Sequence, residues 1–299
     1  MSQIKKMETI SQFNHERGQE TLHPLVSVLD QSKSKILKLE KTYSELYIIF
    51  LKDIKCEDMY YGRNKYDYQA ESLIFIAPGQ TFGFETSEDT IIQPKGWVLA
   101  FHPDYISGTS LGNQMHLYHF FGYHIHEALH LSNREIKLVL NCFKKIKYEI
   151  INTFDSHTKT LICTNIELLL NYCNRFYTRQ FITRELINKN VINQLDQVLY
   201  QYFESEHPQE LGLPSVSYCA DIFHLSPNYF GDLIKKESGR SAQDYIQQKI
   251  VDIAKHRLSS SNKSISEVAY ELGFKYPQHF TKLFKLKTGQ VPSEFRKVD

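Results

Sequence analysis

Ser215-Val216-Ser217-Tyr218-Cys219-Ala220-Asp221-Ile222-Phe223 and Ser264-Ile265-Ser266-Glu267-Val268-Ala269-Tyr270-Glu271-Leu272 are one pattern written twice, about 50 residues apart. The first copy continues through a turn into Pro227-Asn228-Tyr229-Phe230, then Leu233-Ile234, and stops at Gly239. The second continues into Pro277-Gln278-His279-Phe280, then Leu283-Phe284, and stops at Gly289. Apolar or small residues recur at i, i+3, i+4 and i+7 in the first segment of each copy and at i, i+3 and i+4 in the second. That is the stripe of a half-buried helix. Each copy is therefore read as helix, tight turn, helix, and the pair as two DNA-reading helix-turn-helix motifs.

The capping residues agree with the stripes. Ser215 and Ser264 stand before the first helices, and Ser264 with Glu267 spells a capping box. Ser226-Pro227 is an N-cap followed by proline at the first helical position, where the missing N–H costs nothing, and Pro277 recurs in the second copy. Gly239 and Gly289 are placed to end the second helices. Between the copies, Ser241 opens a segment with Tyr245, Ile246, Ile250, Ile253, Ala254 and Leu258 on one face. A helix over about 241–259 would be about 28 Å long, close to the roughly 34 Å of one DNA turn. One rigid connector could then set two reading helices, about 227–238 and 277–288, in successive major grooves.

The stretch from Pro214 to Asp299 resembles the DNA-binding domain of the AraC family of transcription regulators. The residues that carry the resemblance are Ala220, Leu225-Ser226-Pro227, Phe230, Gly239, Ala254-Lys255, Ile265, Val268-Ala269, Leu272-Gly273-Phe274, His279-Phe280, Phe284-Lys285, Thr288-Gly289 and Pro292-Ser293-Glu294-Phe295-Arg296. The resemblance implies a promoter-binding regulator, with activation through RNA polymerase the favoured outcome. The DNA-facing positions it points to are Asn228, Tyr229, Asp232, Lys235 and Lys236 in the first reading helix. In the second they are Gln278, His279, Thr281, Lys282 and Lys285.

Charge supports this only in part. The 299-residue chain carries a formal net charge of +1, which is neutral for a nucleic-acid binder. From Pro214 onward, however, 13 Lys and Arg face 9 acids, so the basic surplus sits in the repeat-bearing part. Five cysteines (Cys56, Cys142, Cys163, Cys173, Cys219) form no CxxC pair and fall in apolar patterns. They read as reduced, mostly buried thiols. The first residues hold no apolar core and no run reaches the length of a membrane span, so a cytoplasmic protein is expected.

The N-terminal half has a different rhythm. After a polar lead come short β-rich runs: Ile36–Leu39, Leu46–Leu51, Ser72–Ile76, Thr81–Phe84 and Gly96–Phe101. Turn residues such as Pro78-Gly79 and Pro94-Lys95-Gly96 separate them. A small antiparallel barrel or sandwich is expected, and the family resemblance implies a cupin-like barrel that senses a small-molecule effector or serves as a scaffold. From about Asn133 the period becomes helical. Ile136, Val139, Leu140, Phe143 and Ile146 make one stripe; Leu161, Ile166, Leu169, Leu170, Cys173 and Phe176 make most of another. In the family such helices often carry a homodimer contact; the alternative is packing on the barrel of the same chain.

Two histidine patterns invite a metal reading. His126-Glu127-Ala128-Leu129-His130 matches HExxH, which on one helix would hold zinc with the glutamate as general base. Leu131-Ser132-Asn133 follows at once, however, and looks like the start of another helix. His124-Ile125-His126 matches the HxH of a cupin metal strand, but Glu127 comes too early for the expected third ligand. A metal-dependent enzyme on the barrel is therefore the alternative, and neither a catalytic residue nor a cofactor is assigned.

The organisation expected is α+β and multidomain. Residues 1–20 are a tail, 21–130 the cupin-like sensor or scaffold, 131–189 a helical dimerisation region, and 190–299 the all-α double helix-turn-helix domain.

Overall fold

The structure is a computed structural model that describes residues 4–38, 40–52, 60–61, 64–65, 72–83, 91–152, 155–183 and 191–298. Leu39, Cys56 and Phe84, named above, lie outside the described residues. The chain divides into two compact units, Met1–Ile182 and Thr183–Asp299.

The first unit is built on a five-stranded sheet in the order Leu129–His130, Ser72–Ile76, Tyr47–Lys52, Trp97–Phe101, Val26–Asp30. Every neighbouring pair is antiparallel. The strands read as continuous apolar runs because both faces are covered. Alternate residues Leu29, Ile48, Ile74, Ile76, Val98 and Ala100 join one core cluster with Met7, Ile10 and Phe13. The intervening Ile49, Phe75 and Leu99 face the opposite side and are equally buried. A smaller sheet pairs Lys5–Met7 in parallel with Thr42–Ser44, which pairs antiparallel with Gln80–Phe82. Among the described residues the large sheet ends on two edge strands, so the closed barrel expected from sequence is not formed there.

The polar lead expected as a tail is not one. Residues 10–16 form a helix, Ile10–Glu16, with Thr9 and Gln12 completing a capping box. Met7, Ile10 and Phe13 are almost fully buried. Three apolar residues suffice here because the sheet supplies the other half of the core.

Helices Asn133–Ile151 and Thr158–Thr183 complete this unit. The first packs on strands Val26–Asp30 and Trp97–Phe101 through Val139, Cys142, Phe143, Ile146 and Ile150. Its stripe is thus used within the unit. Leu161, expected in the second stripe, is 45% exposed, and the adjacent Ile162 is buried instead. Glu135 accepts from Arg179 on both oxygens, from Nε at 2.9 Å and from Nη2 at 3.1 Å, which ties the two helices together.

The second unit is all helix: Val191–Glu204, His207–Leu211, Val216–Ile222, Pro227–Ser238, Ala242–Ser260, Ile265–Glu271, Pro277–Thr288 and Pro292–Val298. The 19-residue connector Ala242–Ser260 is its axis. It packs against both helices of each repeat, and against the first and last helices of the unit. Ile246, Ile250, Val251, Ala254 and Leu258 are buried along it.

Candidate nucleic-acid interface

The two repeats fold alike down to single hydrogen bonds. Ser215 and Ser264 cap their helices by accepting from Tyr218 N–H and Glu267 N–H. In the first turn Leu225 N–H donates to Ala220 O at 3.0 Å, and in the second Phe274 N–H donates to Ala269 O at 3.0 Å. Both turns need one left-handed residue, filled by His224 (φ 55°) in one and Gly273 (φ 86°) in the other. An aromatic ring from each turn packs tilted on the buried phenylalanine of its reading helix, although from different turn positions: Phe223 lies 5.4 Å from Phe230, and Phe274 5.3 Å from Phe280. The reading helices end identically, with Gly239 and Gly289 left-handed and donating to Lys235 O and Lys285 O.

One difference separates the copies. Ser215 to Ser264 is 49 positions but Pro227 to Pro277 is 50, so the second turn holds one more residue. Ser226 caps the first reading helix through Tyr229 N–H, while Tyr276 at the matching place gives no side-chain cap.

The outward face of the second reading helix carries Gln278, His279, Lys282 and Lys285, all exposed, with Thr281 half-buried and bonded back to Pro277 O at 3.2 Å. Phe280 and Phe284 are fully buried, and Leu283 is half-buried. This face is cationic. Lys287, on the same helix, is drawn away by an ion pair to Asp244 at the start of the connector.

The first reading helix presents Asn228, Lys235 and Lys236 exposed, with Gly231 and Asp232 half-buried. Tyr229, expected on this face, is only 4% exposed. Helix Val191–Glu204, outside the repeat, packs on this reading helix, whose buried residues are Tyr229, Phe230, Leu233 and Ile234. The matching position in the second copy, His279, stays exposed. Asp232 with Glu237 offsets Lys235 and Lys236, so this helix is formally neutral where the other is positive.

The connector is locked by polar contacts between residues far apart in sequence. Asp196 accepts from Tyr245 Oη and from Lys249 Nζ, each at 2.7 Å. Burial, helped by the bond to Asp196, raises the Tyr245 phenol above its ordinary value. Arg257 donates to Glu271 O and Phe203 O, and Arg296 to Leu258 O. Cys219, on the buried face of helix Val216–Ile222, is fully buried, and burial pushes its thiol up to about 12. Cys142, Cys163 and Cys173 are likewise buried, free and shifted upward by desolvation.

The HExxH match does not form a zincin helix. His126 and Glu127 lie in a short 3-10 turn, and His130 lies in the strand that follows. His130 Nδ1 sits 3.2 Å from Ser72 Oγ, its N–H donates to Gln180, and its carbonyl accepts from Arg179. His124, His126 and Glu127 do gather, each with a ligand-capable atom within 4.8 Å of the others. Glu127 is spent in part on the turn, where it accepts from His124 N–H at 2.6 Å. Among the described residues no helix is long and apolar enough to cross a membrane.

Residues 219–298 match the family model described as a helix-turn-helix domain. The bifunctional transcriptional activator/DNA repair enzyme AdaA of Bacillus subtilis is 37% identical over 101 residues, covering 34% of this chain and 46% of AdaA. The uncharacterised transcriptional regulatory protein YesN of the same organism is 36% identical over 93 residues, covering 29% of this chain and 25% of YesN. Among solved structures, the C-terminal domain of AraT, a response regulator from Geobacillus stearothermophilus, matches with a TM-score of 0.32 at 23% identity. That match covers 36% of this chain and 85% of the AraT domain. The chain spans less than half the length of these two curated relatives.

Proposed function

We propose that the whole protein is a sequence-specific transcription regulator of the AraC type, a reading supported by the match of residues 219–298 to a helix-turn-helix family model. It binds promoter DNA through the helices Pro227–Ser238 and Pro277–Thr288. The observation that carries this reading is the pair of turns with matching hydrogen bonds, held on one connector with polar side chains outward. A scaffold that needed only helical packing has no use for two such faces.

The roles divide between the copies. Gln278 can pair with adenine and Lys282 with guanine or phosphate, while His279, Thr281 and Lys285 extend the same face. In the first copy Asn228 is the base reader, Lys235 and Lys236 meet phosphate, and Asp232 weakens or restricts binding. The N-terminal unit acts as a cupin-like sensor or scaffold in the cytoplasm. A homodimer would meet through apolar residues left outside its helices, including Tyr148, Ile151, Leu168 and Ile182. Activation through RNA polymerase is the proposed output; AdaA, one matched relative, is described as a transcriptional activator.

Selection from a random duplex library with the full chain tests the reading. The expected product is a bipartite site whose halves lie about 10 base pairs apart. Enrichment of no motif, or of a single half-site only, would overturn it.

A further inference from the structure

Above the Met7, Ile10 and Phe13 side of the large sheet lies a cavity of about 550 Å³. Its size falls in the range of small-molecule sites. Met7, Phe50, Ile74, Ile76, Phe82 and Ile125 make an apolar wall. The charged residues around it are Lys5, Arg17, Lys35, Lys52 and Lys95 against Glu16 and Glu40. Both of those carboxylates are engaged by one cation, Lys5, at 3.1 and 3.7 Å.

Arg17 is the anomaly in this lining. Only 4% of it is exposed, its guanidinium carbon sits 3.7 Å over the Phe13 ring, and one terminal nitrogen donates to Phe13 O at 3.0 Å. Nε, also buried, has no hydrogen-bond partner, and no carboxylate pairs with the group among the described residues. Burial, opposed in part by the neighbouring Glu16 carboxylate, lowers its pKa to about 10, so it remains a cation at neutral pH. A buried charge with no carboxylate of its own in hydrogen-bond contact is costly, Glu16 being held by Lys5, and here it lines a cavity that could admit one.

We propose that this cavity is a ligand site for an amphipathic carboxylic acid, with the carboxylate on Arg17 and the apolar body against the sheet. A planar guanidinium suits a carboxylate better than any neutral group. A polyhydroxylated ligand would meet a mostly apolar wall with few partners for its hydroxyls, and a metal ion would meet an excess of cations. The proposal deepens the sensor reading of this unit. Calorimetry detects the ligand without DNA, so failure of either result leaves the other interpretable.

The test titrates the full chain with decanoate and with naphthalene-2-acetate, each beside its primary amide. At least one acid should bind, and its amide should bind about tenfold more weakly, a difference of about 1.4 kcal/mol. Arg17→Gln should bring acid and amide to equal affinity. Ile92→Trp, which adds bulk at a half-buried residue of the lining, should abolish binding of both while the chain keeps its circular dichroism; this variant keeps the test decisive if Arg17→Gln fails to fold. Binding of neither acid, equal binding of acid and amide by the parent, or a preference for acid that survives Arg17→Gln would overturn the assignment. Tight binding that survives Ile92→Trp would also overturn it.

Discussion

Truncating Ile250 tests whether the two reading helices act as one rigid body. The side chain is 2% exposed, in the middle of a connector that packs on both motifs. Ile250→Ala removes three buried carbons, worth about 2.4 kcal/mol at about 0.8 kcal/mol per buried methylene. A residual cavity raises the total into the range of about 2–5 kcal/mol. The unit Thr183–Asp299 should be stable by about 6–18 kcal/mol at roughly 0.05–0.15 kcal/mol per residue. The variant therefore stays folded but loosened. Hydrogen exchange of the full chain should show connector amides from 246 to 258 losing at least about thirtyfold of their protection, since about 1.4 kcal/mol is a factor of ten. Binding to a selected bipartite site should weaken at least about tenfold, because the second motif no longer engages at high effective concentration. Non-specific binding through exposed lysines should change by less than about threefold, as phosphate contacts do not need a fixed spacing. Parent-like exchange together with parent-like operator affinity would refute the rigid-connector argument and leave two loosely tethered modules.

Gln278→Ala should lower discrimination at one base position by about 1–3 kcal/mol, and equal losses on every single-base variant of the site would count against base reading. Lys282→Ala should reduce the slope of log affinity against log salt by about 1; an unchanged slope would show that this ammonium meets no phosphate. Asp232→Asn should tighten binding to all sequences by up to about 1 kcal/mol; a uniform loss of affinity would refute this, and a loss confined to sites with cytosine at one position would mean that the carboxylate is a reader. Gly273→Ala should destabilise by more than about 2 kcal/mol, because its Cβ would fall 2.7 Å from Gly212 and Pro208 backbone atoms at a left-handed residue. His224→Gly at the matching turn should cost nothing or stabilise by up to about 1 kcal/mol; thermal melts of both variants check the contrast.

The C-terminal unit was legible because its signals are local. An N-cap serine, a proline at the first helical turn and a left-handed glycine act within four residues, so Ser215, Ser264, Pro227, Pro277, Gly239 and Gly289 could be read one at a time. The N-terminal unit hides its logic in pairings. Strand Val26–Asp30 completes the large sheet, yet its Val-Ser-Val-Leu run is too short to stand out without the partner Trp97–Phe101. The same limit explains the helix at Ile10–Glu16. Its few apolar residues mean little until a sheet face is there to receive them.

Tyr229 marks the boundary between the two kinds of information. The repeat predicts correctly that Phe230, Leu233 and Ile234 turn inward, because that follows from the period of one helix. It cannot predict that Tyr229 is buried while His279 is exposed, since the first reading helix also packs on Val191–Glu204, which lies outside the repeat. The second copy instead has Pro292–Val298 packed on its reading helix. Two nearly identical motifs therefore expose different chemistry: a cationic face with Gln278, His279 and Lys282 in one, and a neutral face narrowed to Asn228, Asp232 and the terminal lysines in the other. Electrostatic attraction falls with distance and salt, so approach to DNA should be led by the second motif. The first, tied to it by Ile250 and by the bonds at Asp196, Asp244 and Arg257, is then brought to the groove by the connector rather than by its own charge.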